Sequence, residues 1–408
     1  MSRAKGRSDD VRWSRDHDAW LVRSHELAKQ ALLDEALSLD TYSASRPSPL
    51  SLPSSFELES HDNLRVRRAL SECIGFRRLP HDVIQQVSTD VLAEVPVGHE
   101  IEFASEVSEP LALRLTCGWF GMPTAAVQTL MAYMAASSDA RDDVTRDVAD
   151  ILAQRALREA ISAARREGRH DMLGDLCAAW ERYDLEDDWL IAFLGPMINA
   201  LAQGIGGRLI THSMALLLLD PGLQESVAGA GFVGARLLSL EAARLFPINQ
   251  AVPRVATRDL KLGPAQLRSG DRVLIVVPDV CRDYRAYADP DVVELSRRGR
   301  DNLAFGFGVH ACSGRELALS ISATAIAMTL GRPPRRARQI PSGLTTVVRD
   351  FGPTYEVLPL ILEPKQELNP KITEGGEKYG NHGGRVNAVE SHAQHATAGC
   401  RRSQDCTR

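Results

Sequence analysis

The segment FGFGVHACSGRELA at positions 305–318 contains the residues best suited to chemistry. Its cysteine, Cys312, lies in a glycine-rich loop and is followed by an apolar run of helical composition. A thiolate that binds a metal needs N–H donors directed at the sulfur, and the N-terminus of a helix supplies them. Glycines let the backbone pass close to a flat cofactor where a Cβ would clash. Together these features predict a haem iron bound by the Cys312 thiolate.

Every fixed position of the pattern FGxGxHxCxGxxLA is present in this segment, and the pattern resembles the cysteine loop of the cytochrome P450 family. A buried structural cysteine in a glycine-rich turn is the ordinary alternative for an isolated cysteine, but a complete match at fixed spacing makes it remote. The resemblance implies haem b (iron protoporphyrin IX) as cofactor and Cys312 as the axial iron ligand. The loop residues that it assigns to the cofactor are Phe305, Gly306, His310, Cys312 and Gly314.

Composition excludes several other classes of protein. The chain has 408 residues, 44% of them hydrophobic and 25% charged, which is typical of globular proteins. A formal net charge of −5 does not favour nucleic acid, whose binding proteins are usually basic. The seven cysteines show neither zinc-site spacing nor a disulfide framework. The charged N-terminus has no apolar core, so we expect a cytoplasmic protein that is not bound to a membrane.

Helical periodicity dominates the pattern of apolar residues, which predicts a mainly α fold with small β-sheets. A long apolar helix is predicted over 188–219, and the segment RVLIVV at 272–277 is the clearest strand. The resemblance implies a P450-like fold, a triangular helical domain around haem. The domain prediction is a flexible N-terminus at 1–19, one haem-thiolate domain at 20–364 that is shortened at its N-terminal end, and a disordered tail at 365–408.

An ion pair is expected within a helix, and the resemblance implies that it packs behind the cysteine loop. Glu241 and Arg244 are three residues apart in a helical run, so their side chains share a face and can pair. Such pairs alone are weak evidence, since most are ordinary surface ion pairs. In the resembled family an equivalent pair is tied to a later arginine, and the resemblance implies Arg297 or Arg298 for that role.

Four basic residues match the positions where the resembled family holds the two haem propionates. His61 and Arg65 are four residues apart in a helical segment, Arg254 lies in a predicted strand, and His310 lies in the cysteine loop. Charge-assisted hydrogen bonds to carboxylates are strong, which suits this role. A solvated charge is the alternative for any one of them alone, and the match of all four favours haem binding.

The central helix departs from the resembled family. In its oxygen-activating members this helix carries an acid followed by threonine, which relay protons as a general acid does. Aligned by its terminal leucines, the present helix has Gly204 at the acid position and Ile205 at the threonine position, with Gln203 before them. These three distal residues are the candidate catalytic set, and the usual relay is expected to be absent. Adjacent glycines are expected to let the helix bulge here.

Substrate and partner contacts are expected on opposite sides of the cofactor. Ile248, Asn249 and Gln250 follow the Glu241–Arg244 helix and are candidate substrate contacts, with a solvent-facing loop as an equal alternative. The shortened N-terminal region suggests an open pocket for a substrate that is large, bound to a carrier or presented by a partner. The proximal side is expected to be basic, and it would receive an acidic ferredoxin that is reduced by a ferredoxin reductase. The residues expected on that side are Arg67, Arg68 and Arg315.

The leading hypothesis is a haem-thiolate monooxygenase-like oxidoreductase that acts on a small organic substrate in specialised (natural-product) metabolism. Because the proton relay is missing, we favour coupling, desaturation, rearrangement or the use of peroxide over hydroxylation as the reaction type. The alternative is a haem-binding helper protein without turnover, which stabilises a biosynthetic partner. Retention of the complete haem-holding set favours the enzyme.

Overall fold

The computed structural model describes residues 10–39, 60–74, 81–297, 302–331, 335–340, 345–349 and 352–364. The predicted tail at 365–408 lies outside the described residues. The described helices are α1 (His25–Leu33), α2 (Ser60–Ile74), α3 (His81–Glu94), α4 (Glu109–Phe120), α5 (Thr124–Asp139), α6 (Asp143–Glu167), α7 (Met172–Arg182), α8 (Asp187–Asn199), α9 (Ile205–Leu219), α10 (Pro221–Leu245), α11 (Val277–Val280) and α12 (Arg315–Gly331).

The strands form small sheets at the margins of the helical body. They are β1 (Val11–Ser14), β2 (Ala19–Val22), β3 (Leu37–Ser38), β4 (Glu100–Glu102), β5 (Ala251–Ala256), β6 (Leu260–Leu262), β7 (Ala265–Leu267), β8 (Arg272–Val276), β9 (Arg335–Gln339), β10 (Thr345–Arg349), β11 (Gly352–Val357) and β12 (Pro359–Pro364). One sheet has the order β1-β2-β8-β5-β3, and only its β2–β8 pair is parallel. A second sheet has the order β4-β12-β9, and β6–β7 and β10–β11 are antiparallel pairs. The mainly α fold with small sheets is confirmed.

The N-terminal region is more ordered than its sequence suggested. Strand β1 pairs antiparallel with β2 over 11–22, so the prediction of a flexible segment at 1–19 is wrong for residues 11–19. Val11 and Ala19 are buried, and the indole of Trp20 donates to Asp271 Oδ2 at 3.0 Å. The charged composition hid β1, and the strand that holds its partner β2 in the sheet, β8, lies far away in sequence.

The long apolar segment forms the central helix, as predicted. Helices α8 and α9 are joined by a π-helical turn at Ala200–Gly204, so the helical backbone is continuous from 187 to 219. Within the described part of the chain, this segment alone is long and apolar enough to cross a membrane, but 71% of its most apolar window is buried inside the protein. Its hydrophobicity is therefore accounted for by packing against neighbouring helices.

Two apolar clusters fill the helical body, and a third lies against the β1–β8 sheet. The largest joins α3, α4, α9, α10, α12 and β12, and the second joins α2 with α4 to α8. The cysteine loop lies between the first and third clusters, because Leu303 belongs to the third while Phe305 packs against the first. The loop is thus held between the helical body and the sheet.

Candidate functional site

The cysteine loop is closed by backbone hydrogen bonds. The N–H of Cys312 donates to Phe305 O at 2.8 Å, and the N–H of Gly306 donates to Leu303 O at 2.9 Å. Gly306 and Gly308 both have φ of +72°, a conformation that disfavours residues with a Cβ. The glycines therefore specify the path that brings Cys312 to the start of α12.

Gly308 is also required by a close approach to α1. A Cβ at this position would lie 2.9 Å from Leu33 Cδ2 and 3.3 Å from Leu32 O. The sequence argument assigned the loop glycines to a close approach to the cofactor. For Gly308 the structure gives a second reason, which is packing of the loop on the last turn of α1.

The Cys312 sulfur is densely surrounded by protein atoms although the residue keeps an exposed surface. Desolvation raises the pKa of its thiol, while the backbone N–H groups of Gly314 and Arg315 and the guanidiniums of Arg67 and Arg315 act in the lowering direction. The net shift is upward. These N–H groups open α12, so the helix N-terminus stabilises negative charge at the sulfur, as the sequence predicted. Coordination to iron would complete the deprotonation.

Arg67 reaches the cysteine loop from α2. Its Nη2 donates to Ala311 O at 3.0 Å, next to Cys312, and its charge interacts with the sulfur. Partial burial lowers the pKa of Arg67, and the Cys312 sulfur opposes that shift. The sequence placed Arg67 only on a partner-facing surface and missed this contact, for which no sequence pattern gave a signal.

The predicted ion pair is buried and joined by a third residue. Glu241 and Arg244 form two hydrogen bonds of 2.9 and 2.8 Å, and both are almost inaccessible to solvent. Arg297 Nε donates to Glu241 Oε2 at 3.3 Å, which completes the triad expected from the sequence. Arg298, the other option, lies outside the described residues. Arg244 also donates to the carbonyls of Pro290 and Val292, so the triad fixes the segment that precedes the loop.

Asn302 is a structural residue of the site that the sequence analysis missed. Its Nδ2 donates to Leu240 O at 2.9 Å and its Oδ1 accepts from Ala304 N at 3.0 Å. It therefore ties the start of the cysteine loop to α10, beside the triad. An asparagine just before a tight turn is a known local signal, because its side chain mimics a backbone turn.

The four candidate propionate ligands are placed differently from one another. The side chain of His61 lies outside the described residues. Arg65 donates to Tyr183 O and Asp184 O at 2.6 and 2.5 Å, so its assignment to a propionate stays a prediction. Arg254 is buried in β5, where its Nη1 donates to Pro253 O at 2.8 Å, and His310 is half-buried in the loop.

The central helix bulges where the relay residues would be expected. The π-helical turn at Ala200–Gly204 includes Gln203 and Gly204, and Ile205 begins the next α-helical segment. The side chains of Gln203 and Ile205 lie outside the described residues. The next hydroxyls are buried and bonded to their own helix, Thr211 to Gly207 O at 3.0 Å and Ser213 to Leu209 O at 2.7 Å.

The substrate candidates lie between α10 and β5. Ile248 is half-buried, Asn249 is exposed, and Gln250 donates from Nε2 to Pro247 O at 2.6 Å. The Gln250 Oε1 atom is buried and accepts no hydrogen bond from the described part of the chain. Of the three, Gln250 therefore has a polar atom suited to a further ligand.

The residues present fit a haem with a thiolate ligand. A cysteine sulfur with backbone donors and two nearby guanidiniums suits an anionic iron ligand. The buried Arg254 and half-buried His310 are donors suited to carboxylates. The donor set therefore matches both ends of such a cofactor, the iron and the propionates.

Comparisons with known proteins agree with this geometry. A family model described as Cytochrome P450 matches residues 240–332, a range that contains the Glu241–Arg244 pair and the Cys312 loop. Nocardicin C N-oxygenase from Nocardia uniformis subsp. tsuyamanensis is 25% identical over 351 residues, covering 81% of this chain and 86% of the relative. The family model and the curated relatives together support a bacterial cytochrome P450. This P450 is accordingly a monooxygenase-like oxidoreductase.

Solved P450 structures share its fold. The P450 enzyme CxnD, described as catalysing C–S bond formation in chuangxinmycin biosynthesis, gives a TM-score of 0.74 at 21% identity, covering 85% of this chain and 89% of that one. P450BioI, in complex with acyl carrier protein ligated to hexadec-9Z-enoic acid, also gives 0.74 at 21% identity, with 85% and 92% covered. At this identity the similarity demonstrates the fold alone.

Proposed function

We propose that this P450 oxidises a small organic substrate in natural-product biosynthesis, with haem b bound through Cys312. The observation that carries the proposal is the cysteine loop, in which helix N-terminal donors and two guanidiniums surround the sulfur. The relation to an N-oxygenase named for nocardicin C supports the substrate class. Haem, when bound, supplies the oxidising iron centre.

The chain's own residues hold the cofactor and position the substrate. Cys312 would provide the anionic ligand, and Arg254 and His310 would donate hydrogen bonds to the propionates, with His61 and Arg65 as further candidates. Gln250 Oε1, a buried acceptor, would accept a hydrogen bond from a donor group of the substrate, whereas the exposed Asn249 is less suited to that role. Burying an acceptor without a donor costs about 1–3 kcal/mol, which binding of such a substrate would recover.

Proton delivery is proposed to differ from that of oxygenases with an acid–threonine pair. The helix carries Gly204 and Ile205 at those positions, and the hydroxyls of Thr211 and Ser213 are already bonded to backbone carbonyls. Protons would reach the site through water, Gln203 or a group of the substrate. This supports atypical oxygen activation, or the use of peroxide in place of dioxygen.

The proposed electron donors are a ferredoxin and its reductase, in the cytoplasm. A substrate bound to a carrier protein is part of the proposal, and the solved complex of P450BioI with acyl carrier protein supports it. The alternative is a free small-molecule substrate. Turnover of the same acyl group with and without its carrier protein distinguishes the two.

The test of the haem-thiolate site is the reduced carbon monoxide spectrum. The wild type is expected to absorb near 450 nm, roughly the band of thiolate-bound haem, and Cys312→Ala is expected to lose it. Cys117→Ala, which changes a buried cysteine of α4, is the matched control and should keep the band. A Cys312→Ala protein that keeps the band would overturn the assignment.

The test of enzymatic turnover is separate. Wild type with a reductase pair, or with peroxide, should convert a substrate found by its shift of the Soret band. A protein that shows the 450 nm band and binds ligands, yet turns over none with either oxidant, would instead support the helper role.

A further inference from the structure

Tyr287 lies where α1, α10 and the segment before the cysteine loop meet. It is buried, with 5% of its surface exposed, and its ring stands at 90° to the ring of His25 with 5.5 Å between the centroids. The guanidinium carbons of Arg244 and Arg297 lie over the same ring, 5.2 and 5.7 Å from its centroid. Both distances are within the range of a cation–π interaction. Tyr287 therefore contacts both arginines of the Glu241–Arg244–Arg297 triad.

The triad has a use for this contact because its buried charges are unequal. Arg244 and Arg297 both bond to the carboxylate of Glu241, whose side chain is 6% exposed. Arg297 also reaches Glu294 Oε2 at 3.5 Å, but that side chain is half exposed, so solvent weakens the pair. A buried excess of positive charge is unfavourable unless polar groups compensate it. The face of an aromatic ring attracts cations, so the Tyr287 ring can supply part of this compensation.

The same residue connects the triad to the cysteine loop through α1. Tyr287 N donates to Asp283 O at 2.9 Å, and Asp283 Oδ2 accepts from the N–H of His25, the first residue of α1, at 2.9 Å. The last turn of α1 packs on Gly308 of the loop. Contacts thus run from the triad through Tyr287 and α1 to the loop that carries Cys312.

We propose that Tyr287 is a positioning residue of the haem-thiolate site. Its ring holds the two arginines of the triad against α1, so that the cysteine loop keeps the path that presents the Cys312 sulfur to the iron. The proposal rests on the function proposed above, because that function places the haem at this loop. It assigns the role to the face of the ring and not to the hydroxyl group.

The reduced carbon monoxide spectrum of the full chain tests the proposal, with total haem measured separately. Tyr287→Leu removes the ring but keeps an apolar side chain, and it should lower the fraction of bound haem that shows the thiolate band near 450 nm by about twofold or more. Tyr287→Phe keeps the ring and should retain the wild-type fraction. Tyr355→Leu is the matched control for lost packing, since Tyr355 is a buried tyrosine whose ring contacts His212 and Phe246.

A double-mutant cycle gives a second readout that does not depend on the spectrum. Arg297→Met leaves Arg244 and Glu241 as a balanced pair, so the ring has less charge to compensate. The shift in the denaturant midpoint caused by Tyr287→Leu should therefore be clearly smaller in the Arg297→Met background than in the wild type.

Three results would overturn the proposal. They are a wild-type fraction of the 450 nm band in Tyr287→Leu, a loss of that band in Tyr287→Phe or Tyr355→Leu as large as in Tyr287→Leu, and a midpoint shift that is equal in the two backgrounds. A wild type that binds haem without the thiolate band would instead contradict the proposed function. In that case the cycle still tests whether the ring supports the arginines.

Discussion

At the scale of single residues, Cys312 shows how opposing effects are balanced. Dense packing raises the pKa of its thiol, while two amides and two guanidiniums favour the charged form. Arg67 contributes without being a ligand, because it bonds the carbonyl of the neighbouring Ala311. The site is therefore arranged for a sulfur that becomes anionic when it gains a metal.

Asp283 is a second residue whose ionisation matters, here for stability. Its carboxylate accepts from His25 N, the first N–H of α1, at 2.9 Å and from Arg285 Nε at 2.8 Å. It thus caps α1 from a distant segment, and α1 supports the cysteine loop through Gly308. Desolvation acts to raise the pKa of Asp283, but the hydrogen bonds from Arg285 and His25 outweigh it, so the net shift is downward.

Asp283→Asn should destabilise the protein by about 1–3 kcal/mol at neutral pH, since a charged partner of a buried N–H is lost. A carboxyl with a depressed pKa stabilises fully above its ordinary pKa near 3.8, and this contribution disappears as pH falls through the lower folded value. The difference between wild type and variant should therefore shrink below about pH 4. Denaturant unfolding across pH checks this, with the exposed Asp16→Asn as control. A difference that is constant with pH would contradict the account.

At the scale of elements, two arrangements determine the site. The Glu241–Arg244–Arg297 triad connects α10 to the segment before the cysteine loop. The π-helical turn between α8 and α9 ends at Gly204, and Gly206 and Gly207 follow it in the first turn of α9. Each adjacent glycine lowers helix stability by about 1 kcal/mol relative to alanine, so the bulge has a local cause.

We expect wild type to couple NAD(P)H consumption weakly to simple hydroxylation, because positions 204 and 205 of the central helix carry neither an acid nor a hydroxyl. Gly204→Glu/Ile205→Thr should raise the product formed per NAD(P)H consumed. Gly204→Glu/Ile205→Val is the matched control, since valine has nearly the shape of threonine but no hydroxyl. The test measures, for one bound substrate, the amount of hydroxylated product and the amount of NAD(P)H oxidised by each protein. Tight coupling in wild type that neither variant alters would refute the interpretation of this helix.

At the scale of the whole molecule, local charge differs from net charge. The chain carries −5 overall, yet Arg67 and Arg315 lie beside the Cys312 sulfur, and Arg68 is an exposed neighbour of Arg67 in α2. A basic face on an acidic protein can orient an acidic partner during approach. The distribution therefore suits a ferredoxin better than the net charge suggests.

Reduction by an acidic ferredoxin should slow as ionic strength rises, because exposed charges are screened over about 10 Å at 0.1 M salt. Arg68→Glu, at an exposed position of α2, should lower the rate and flatten its salt dependence. Arg258→Glu, exposed between β5 and β6, is the control. Stopped-flow reduction gives both quantities, and a rate independent of salt would indicate a different donor or a different face.

The sequence by itself determined the features that depend on short spacing. The cysteine loop, the Glu241–Arg244 pair and the long central helix are local patterns, and hydrophobic periodicity indicated most helices. Loop glycines at positive φ are a requirement of the backbone, so they are visible in the sequence. Identification of the family rested on the same local residues.

Only the tertiary structure decided the contacts between distant segments. The pairing of β2 with β8, the contact of Arg67 with Ala311 and the capping of α1 by Asp283 join residues that no local pattern relates. The same is true of Arg65, whose donors bind carbonyls at the end of α7. A long side chain such as arginine can donate to any of several acceptors, and the packing of the helices and strands determines which acceptors lie close enough.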